Sequence, residues 1–207
     1  MVNEGSQKQA GKWSIEQFLR DFFKKPLDSA AHALQRLGVT PNSVTMLGLV
    51  LNAAAAVLLG FGRFTIGGLV LLIGVPMDAL DGALARLNGK PSPFGAFLDS
   101  VTDRYEELFL FAGLLVYFAQ TGNQTGILLS FAAAAGSVLV SYVKARAESL
   151  GFESKVGLFS RVGRMIVLLG SLIFSIPLVG LWILAIFTNI TAIHRFLHVR
   201  NQAIGNK

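Results

Sequence analysis

The chain has 207 residues, of which 53% are hydrophobic and 14% charged, and its formal net charge is +6. A soluble domain carries about 25% charged residues, so this composition, with a mean hydropathy of +0.58, excludes an ordinary soluble protein and points to the membrane. In that setting the basic balance speaks for lipid and against nucleic acid, and the lack of cysteine excludes disulfides and thiolate metal sites.

Residues 1–40 read as a cytoplasmic amino-terminal arm. The opening residues are polar and lack an apolar core followed by a cleavage site, so no signal peptide is expected. Ile15, Phe18, Leu19, Phe22 and Phe23 recur at helical spacing, and after Pro26 the pattern resumes at Leu27, Ala30, Ala31 and Leu34. With Lys24, Lys25 and Arg36 nearby, this predicts an amphipathic helix lying in the membrane interface.

Residues 41–207 read as one all-α transmembrane domain. A span needs roughly 20 apolar residues, and the runs Ser43–Gly62, Phe64 to about Leu80, a third continuing from near Ala96, and Gly126–Val143 each supply one. From Met165 to His194 no charged Lys, Arg, Asp or Glu occurs, so this stretch holds either one tilted span or two joined at "SIPLVG". Charge decides for two. With six spans, all of the 18 basic residues except Arg63 fall on one side, which is then cytoplasmic and holds both termini. Pro177 and Gly180 suit the final turn. The alanine runs at 53–56 and 132–135 offer small surfaces for helix packing.

The segment "DALDGALARLNGKPSPFGAFLDSVTD" at residues 78–103 interrupts this apolar pattern. Asp78 and Asp81 share one helical face, as do Asp99 and Asp103. Gly89, Pro91 and Pro93 break the helix between them, so two antiparallel helices bring four carboxylates together at the cytoplasmic end of the bundle. Such a group needs protons or cations to compensate its charge. Oxygen-only ligands select hard divalent ions such as Mg²⁺ or Mn²⁺, and paired metals suit phosphoryl transfer. Arg86 lies about 80° round the helix from Asp78, within reach of a phosphate held there.

These residues closely resemble the CDP-alcohol phosphotransferase signature D(x2)DG(x2)AR(x8)G(x3)D(x3)D. Asp78, Asp81, Gly82, Ala85, Arg86, Gly95, Asp99 and Asp103 fill every fixed position of it. The resemblance implies a six-helix membrane enzyme, active as a homodimer, in which an alcohol displaces CMP from a CDP-linked lipid. It implies that Asp78, Asp81 and Asp99 bind two Mg²⁺ ions, and that Asp103 helps bind one and acts as general base. It implies nucleotide and CDP-lipid contacts at Gly82, Ala85, Arg86 and Ser92, and at Asn42, Ser43, Val44 and Thr45 in "PNSVT".

The signature is shared across several acceptor alcohols. A second basic group, Lys144, Arg161, Arg164 and Arg195, is expected at the cytoplasmic ends of the last three spans, where it can hold an acceptor's own phosphate. The pattern resembles prokaryotic phosphatidylinositol phosphate synthases. That resemblance implies CDP-diacylglycerol, or a CDP-linked ether lipid, as donor and inositol phosphate as acceptor. Glycerol phosphate is the alternative acceptor.

Two other classes compete. Intramembrane prenyltransferases use two separated aspartate motifs, whereas this chain has one compact motif. Cation-coupled transporters show repeats and broken helices near the midplane, neither of which is visible. His194 and His198 read as a polar helix end, and the sequons at Asn123 and Asn189 receive no role.

Overall fold

The computed structural model describes residues 15–89, 92–154, 156–157 and 159–205, with side chains from residue 24 onward. Among the described residues every regular element is helical. The seven helices are α1 (Ile15–Arg36), α2 (Pro41–Gly60), α3 (Phe64–Leu87), α4 (Pro93–Gln120), α5 (Gln124–Ser149), α6 (Arg161–Ile173) and α7 (Pro177–Gly205).

Helix starts follow from local chemistry. Thr40, Ser92, Asn123 and Ser160 each accept a hydrogen bond from the backbone N–H three residues on, satisfying a donor that the helix itself leaves free. Asn123 therefore has a structural role as the cap of α5. Asn189 does too, for its amide donates to the carbonyls of Ala132 on α5 (3.0 Å) and Ala185 on its own helix (2.8 Å). The α6–α7 break falls at residues 174–176, at the start of "SIPLVG", with Ser175 at a φ of +55°.

Four helices, α2, α3, α5 and α7, are long and apolar enough to cross a membrane. The expected six are not all matched by length and composition. The 13 residues of α6 extend only about 20 Å. The first fifteen residues of α4 carry Asp99, Asp103, Arg104, Glu106 and Glu107.

The helices pack α2 against α3 and α4, α5 against α4 and α7, and α6 against α3 and α7. Leu59, Leu71, Leu110, Leu114, Leu172 and Leu181 are fully buried where they meet. Other large apolar residues, such as Val57, Ile66, Leu128, Phe131 and Ile186, face outward, the inverse of a soluble surface. Gly113 lets α4 cross α2 in backbone contact: a Cβ there would collide with the Ala56 carbonyl. Gly113→Val is therefore expected to destabilise the fold by about 1–3 kcal/mol through overpacking, read as a lower unfolding midpoint in detergent; an unchanged midpoint would contradict this packing.

The amino-terminal helix departs from expectation. It runs continuously through Pro26 as α1. Ala31 is fully buried, and Leu27 and Leu34 pack with it against Val44, Leu80, Ala83 and Leu84. This half of the apolar stripe is thus covered by the start of α2 and the end of α3 rather than by lipid, because those helix ends carry apolar residues of their own. The side chains of Ile15, Phe18, Leu19, Phe22 and Phe23 lie outside the described residues.

Candidate functional site

α3 and α4 both pack against α2, and at the chain reversal between them Gly89 adopts a φ of +111° that favours glycine; Pro91 lies outside the described residues. The reversal sets Asp78 and Asp81 of α3 against Asp99 and Asp103 of α4. Asp99 is near enough to Asp78, Asp81 and Asp103 for its charge to act on each. The convergence expected from spacing is present.

Its tightest part, however, differs from the four-aspartate set. Oxygens of Asp78, Asp103 and Glu106 lie within 4.8 Å of one another, close enough to share one cation. Asp81 is buried a turn away and accepts a 2.5 Å hydrogen bond from the Thr45 hydroxyl of α2. Glu106 was not anticipated, although it stands seven residues after Asp99 and so only about 20° round the helix from it. That spacing was the available signal.

Arg161, at the first position of α6, enters the centre of the group. Its Nη2 donates to Asp78 Oδ2 at 2.6 Å and to Glu106 Oε2 at 3.3 Å. The same nitrogen lies 2.7 Å from Asp103 Oδ1, an approach too oblique for a hydrogen bond, so that buried oxygen has no donor. Arg104 donates to the other oxygen of Asp103 at 2.9 Å. A half-buried arginine among carboxylates offsets repulsion that the apolar surroundings would magnify.

The remaining predicted residues divide. Arg86 is exposed on the face of Gly82, whose missing side chain leaves room beneath the guanidinium. Ala85 is on the same helix and half-buried. Ser92 caps α4 and borders Gly95, which also lies near Asn42 at the start of α2. In "PNSVT", Ser43 interacts with the capping Thr40, Val44 is buried in the cluster beneath α1, and Thr45 holds Asp81.

The four basic residues do not form one group. Arg161 joins the carboxylates as described. Arg164 is buried, its Nε and Nη2 donating to Glu107 Oε1 at 3.2 and 2.6 Å. Arg195 braces the α5–α6 connection, donating to the carbonyls of Val156 (2.8 Å) and Val140 (2.7 Å). Lys144 is exposed, 3.9 Å from Glu148 on the same helix. Arg164 thus faces a carboxylate rather than an open phosphate site, since a buried guanidinium without a counter-ion would be costly.

The donor set suits hard divalent cations: only carboxylate oxygens converge, and both Asp103 Oδ1 and Glu106 Oε1 are buried without a hydrogen-bond donor. Residues 38–194 match the model of the family described as CDP-alcohol phosphatidyltransferase, a region that contains every one of these carboxylates. The chain belongs to that family.

This CDP-alcohol phosphatidyltransferase is a membrane enzyme of phospholipid biosynthesis. It is 32% identical over 185 residues to the archaetidylinositol phosphate synthase of Pyrococcus horikoshii, covering 89% of this chain and 96% of that protein. With the phosphatidylinositol phosphate synthase of Streptomyces avermitilis it shares 35% identity over 208 residues, covering 93% of this chain and 85% of that one. The crystal structure of Mycobacterium tuberculosis phosphatidylinositol phosphate synthase with CDP-DAG bound superimposes with a TM-score of 0.79 at 33% identity, covering 84% of this chain and 92% of that chain. A second structure of the same protein, in complex with manganese and citrate, gives the same TM-score and identity.

Proposed function

We propose that the enzyme transfers a phosphatidyl group from CDP-diacylglycerol to a hydroxyl of inositol phosphate and releases CMP. The observation that carries this reading is the convergence of Asp78, Asp103 and Glu106 beside Asp81 and Asp99, with Arg161 among them. The names of the relatives from Streptomyces avermitilis and Mycobacterium tuberculosis support the acceptor, and the CDP-DAG complex of the latter supports the donor.

In this reading Asp78, Asp81, Asp99 and Asp103 hold two Mg²⁺ or Mn²⁺ ions, which when bound supply Lewis acidity toward the diphosphate. Asp103 takes the proton from the acceptor hydroxyl, which attacks the lipid-side phosphorus while the phosphorus–CMP bond breaks. Gly82, Ala85, Arg86 and Ser92 receive the nucleotide, together with Asn42 to Thr45 at the start of α2. Thr45 fixes Asp81 by its hydroxyl, so in "PNSVT" one residue serves both the nucleotide side and the carboxylates. On the acceptor side the four basic residues act separately: Arg161 stands nearest the aspartates, Arg164 supports α6 from beneath through Glu107, and Lys144 and Arg195 supply positive charge from α5 and α7.

Residues 1–40 form the cytoplasmic arm and 41–207 the catalytic domain of a homodimer in the cytoplasmic membrane. α4 and α6 complete a six-span bundle with both termini cytoplasmic. Asp103, Glu106 and Glu107 of α4 are buried against its neighbours, which is how a bundle accommodates charges at a membrane edge. The similarity to an archaetidylinositol phosphate synthase favours a second donor, a CDP-linked ether lipid, at the same site.

CMP release by the purified protein with Mg²⁺ tests the reading, using either donor and inositol phosphate, glycerol phosphate, inositol or serine as acceptor. Release is expected with inositol phosphate alone. Turnover of glycerol phosphate instead would retain the transfer and overturn the acceptor, and the faster donor identifies the lipid backbone.

A further inference from the structure

Glu106 lies one turn deeper in α4 than Asp103 and is 2% exposed. Its Oε2 accepts from Arg161 Nη2, while its Oε1 is buried with no donor. Arg161 shows the complementary defect: Nη2 is crowded by three carboxylates while its buried Nε has no acceptor. Two orphaned atoms, one donor and one acceptor, thus sit on two residues already in contact. Buried polar atoms without partners are costly, and a side-on pair, Nε and Nη2 against Oε1 and Oε2, would satisfy both.

That pairing needs Arg161 to withdraw from Asp78 and Asp103. While the two aspartates carry no cation, withdrawal would leave Asp78 without a cationic partner and Asp103 with Arg104 alone, so the guanidinium stays between them. We infer that Glu106 is a positioning residue: it takes Arg161 over from Asp78 and Asp103 when those aspartates bind a divalent cation, and holds the guanidinium beside the site. The cation and Arg161 then compete for the same oxygens, and Glu106 sets the balance by offering Arg161 another partner. This inference rests on the metal-binding reading of Asp78 and Asp103. It also explains why a carboxylate outside the signature shares the tightest oxygen cluster.

The test is a double-mutant cycle read by Mn²⁺ binding. The paramagnetic resonance signal of free Mn²⁺ is titrated with the purified full-length protein in detergent, without substrate. Glu106→Gln is expected to weaken binding about tenfold, and Arg161→Gln to tighten it about tenfold, because the competitor stays in the first and is gone in the second; in the Arg161→Gln background, Glu106→Gln should then change affinity less than about twofold. Equal weakening by Glu106→Gln in both backgrounds would overturn the inference, for Glu106 would then act on the cation directly. If Glu106→Gln does not fold, Arg161→Gln decides alone, and unchanged or weaker Mn²⁺ binding overturns the inference. Failure of the unsubstituted protein to bind Mn²⁺ would overturn the metal reading itself, whereas binding with an additive cycle overturns this step only.

Discussion

Asp103→Asn is expected to lower CMP release by about two to four orders of magnitude, the usual contribution of a positioned general base. The carboxylate sits where the proposed chemistry needs it, in α4 beside Asp78 and within the shared oxygen cluster. An amide in its place can neither accept the acceptor's proton nor balance Arg104 and Arg161, which approach its two oxygens at 2.9 and 2.7 Å. Because those arginines remain, the variant is to be compared with the unsubstituted protein by gel filtration and heat unfolding, so that lost chemistry is separated from lost fold. Retention of more than about a tenth of the activity, well above what removal of a general base leaves, would move the proton-accepting role to another group.

The second large effect concerns stability. Arg164 and Glu107 pair across α6 and α4 with side chains only 5% and 6% exposed. Removing one partner strands the other charge among apolar side chains, which costs about 3–5 kcal/mol. Glu107→Gln and Arg164→Met are each expected to lower the midpoint of heat unfolding in detergent by about 10 °C. Replacing both, as Glu107→Leu with Arg164→Met, should recover most of that loss, since two apolar groups of similar volume leave no buried charge. Single variants as stable as the unsubstituted protein would show that the pair is not holding α6 against α4. The position of this pair also accounts for α6, a short helix that begins at Arg161 and must be fixed precisely enough to deliver that guanidinium to the aspartates.

Much of the site was legible because it is written locally. Asp78 and Asp81, or Asp99 and Asp103, share a face by helical periodicity alone, and the glycine and prolines between them predict the break between two helices, both of which then pack on α2. The apolar runs located the helices, although α3, α5 and α7 each continue past them into polar residues of the same helix. Glu106 and Glu107 were locally visible too, one helical face on from Asp99 and Asp103. They were overlooked because the acidic group was framed by the signature.

Other features had no local trace. Arg161 lies 83 residues from Asp78, and nothing in "GLFSRVGRM" says that its first arginine enters the carboxylates while its second is buried against Glu107. The resemblance implied a nucleotide contact at Thr45, and that its hydroxyl holds Asp81 from a neighbouring helix is visible only in the packing. The stripe of α1 predicted a helix resting on lipid, and only the packing shows that its second half is covered by α2 and α3.

By itself, then, the sequence determined an all-helical membrane protein, the family to which it belongs, and a cluster of carboxylates at one end of the bundle. Periodicity, turn chemistry and burial cost act over a few residues and need no knowledge of neighbours. The tertiary structure decided which charges neutralise one another and which helix faces are covered. Those outcomes depend on how helices rotate and approach, as where Gly113 admits the backbone of α2, and a buried charge accepts whichever partner that packing brings within reach.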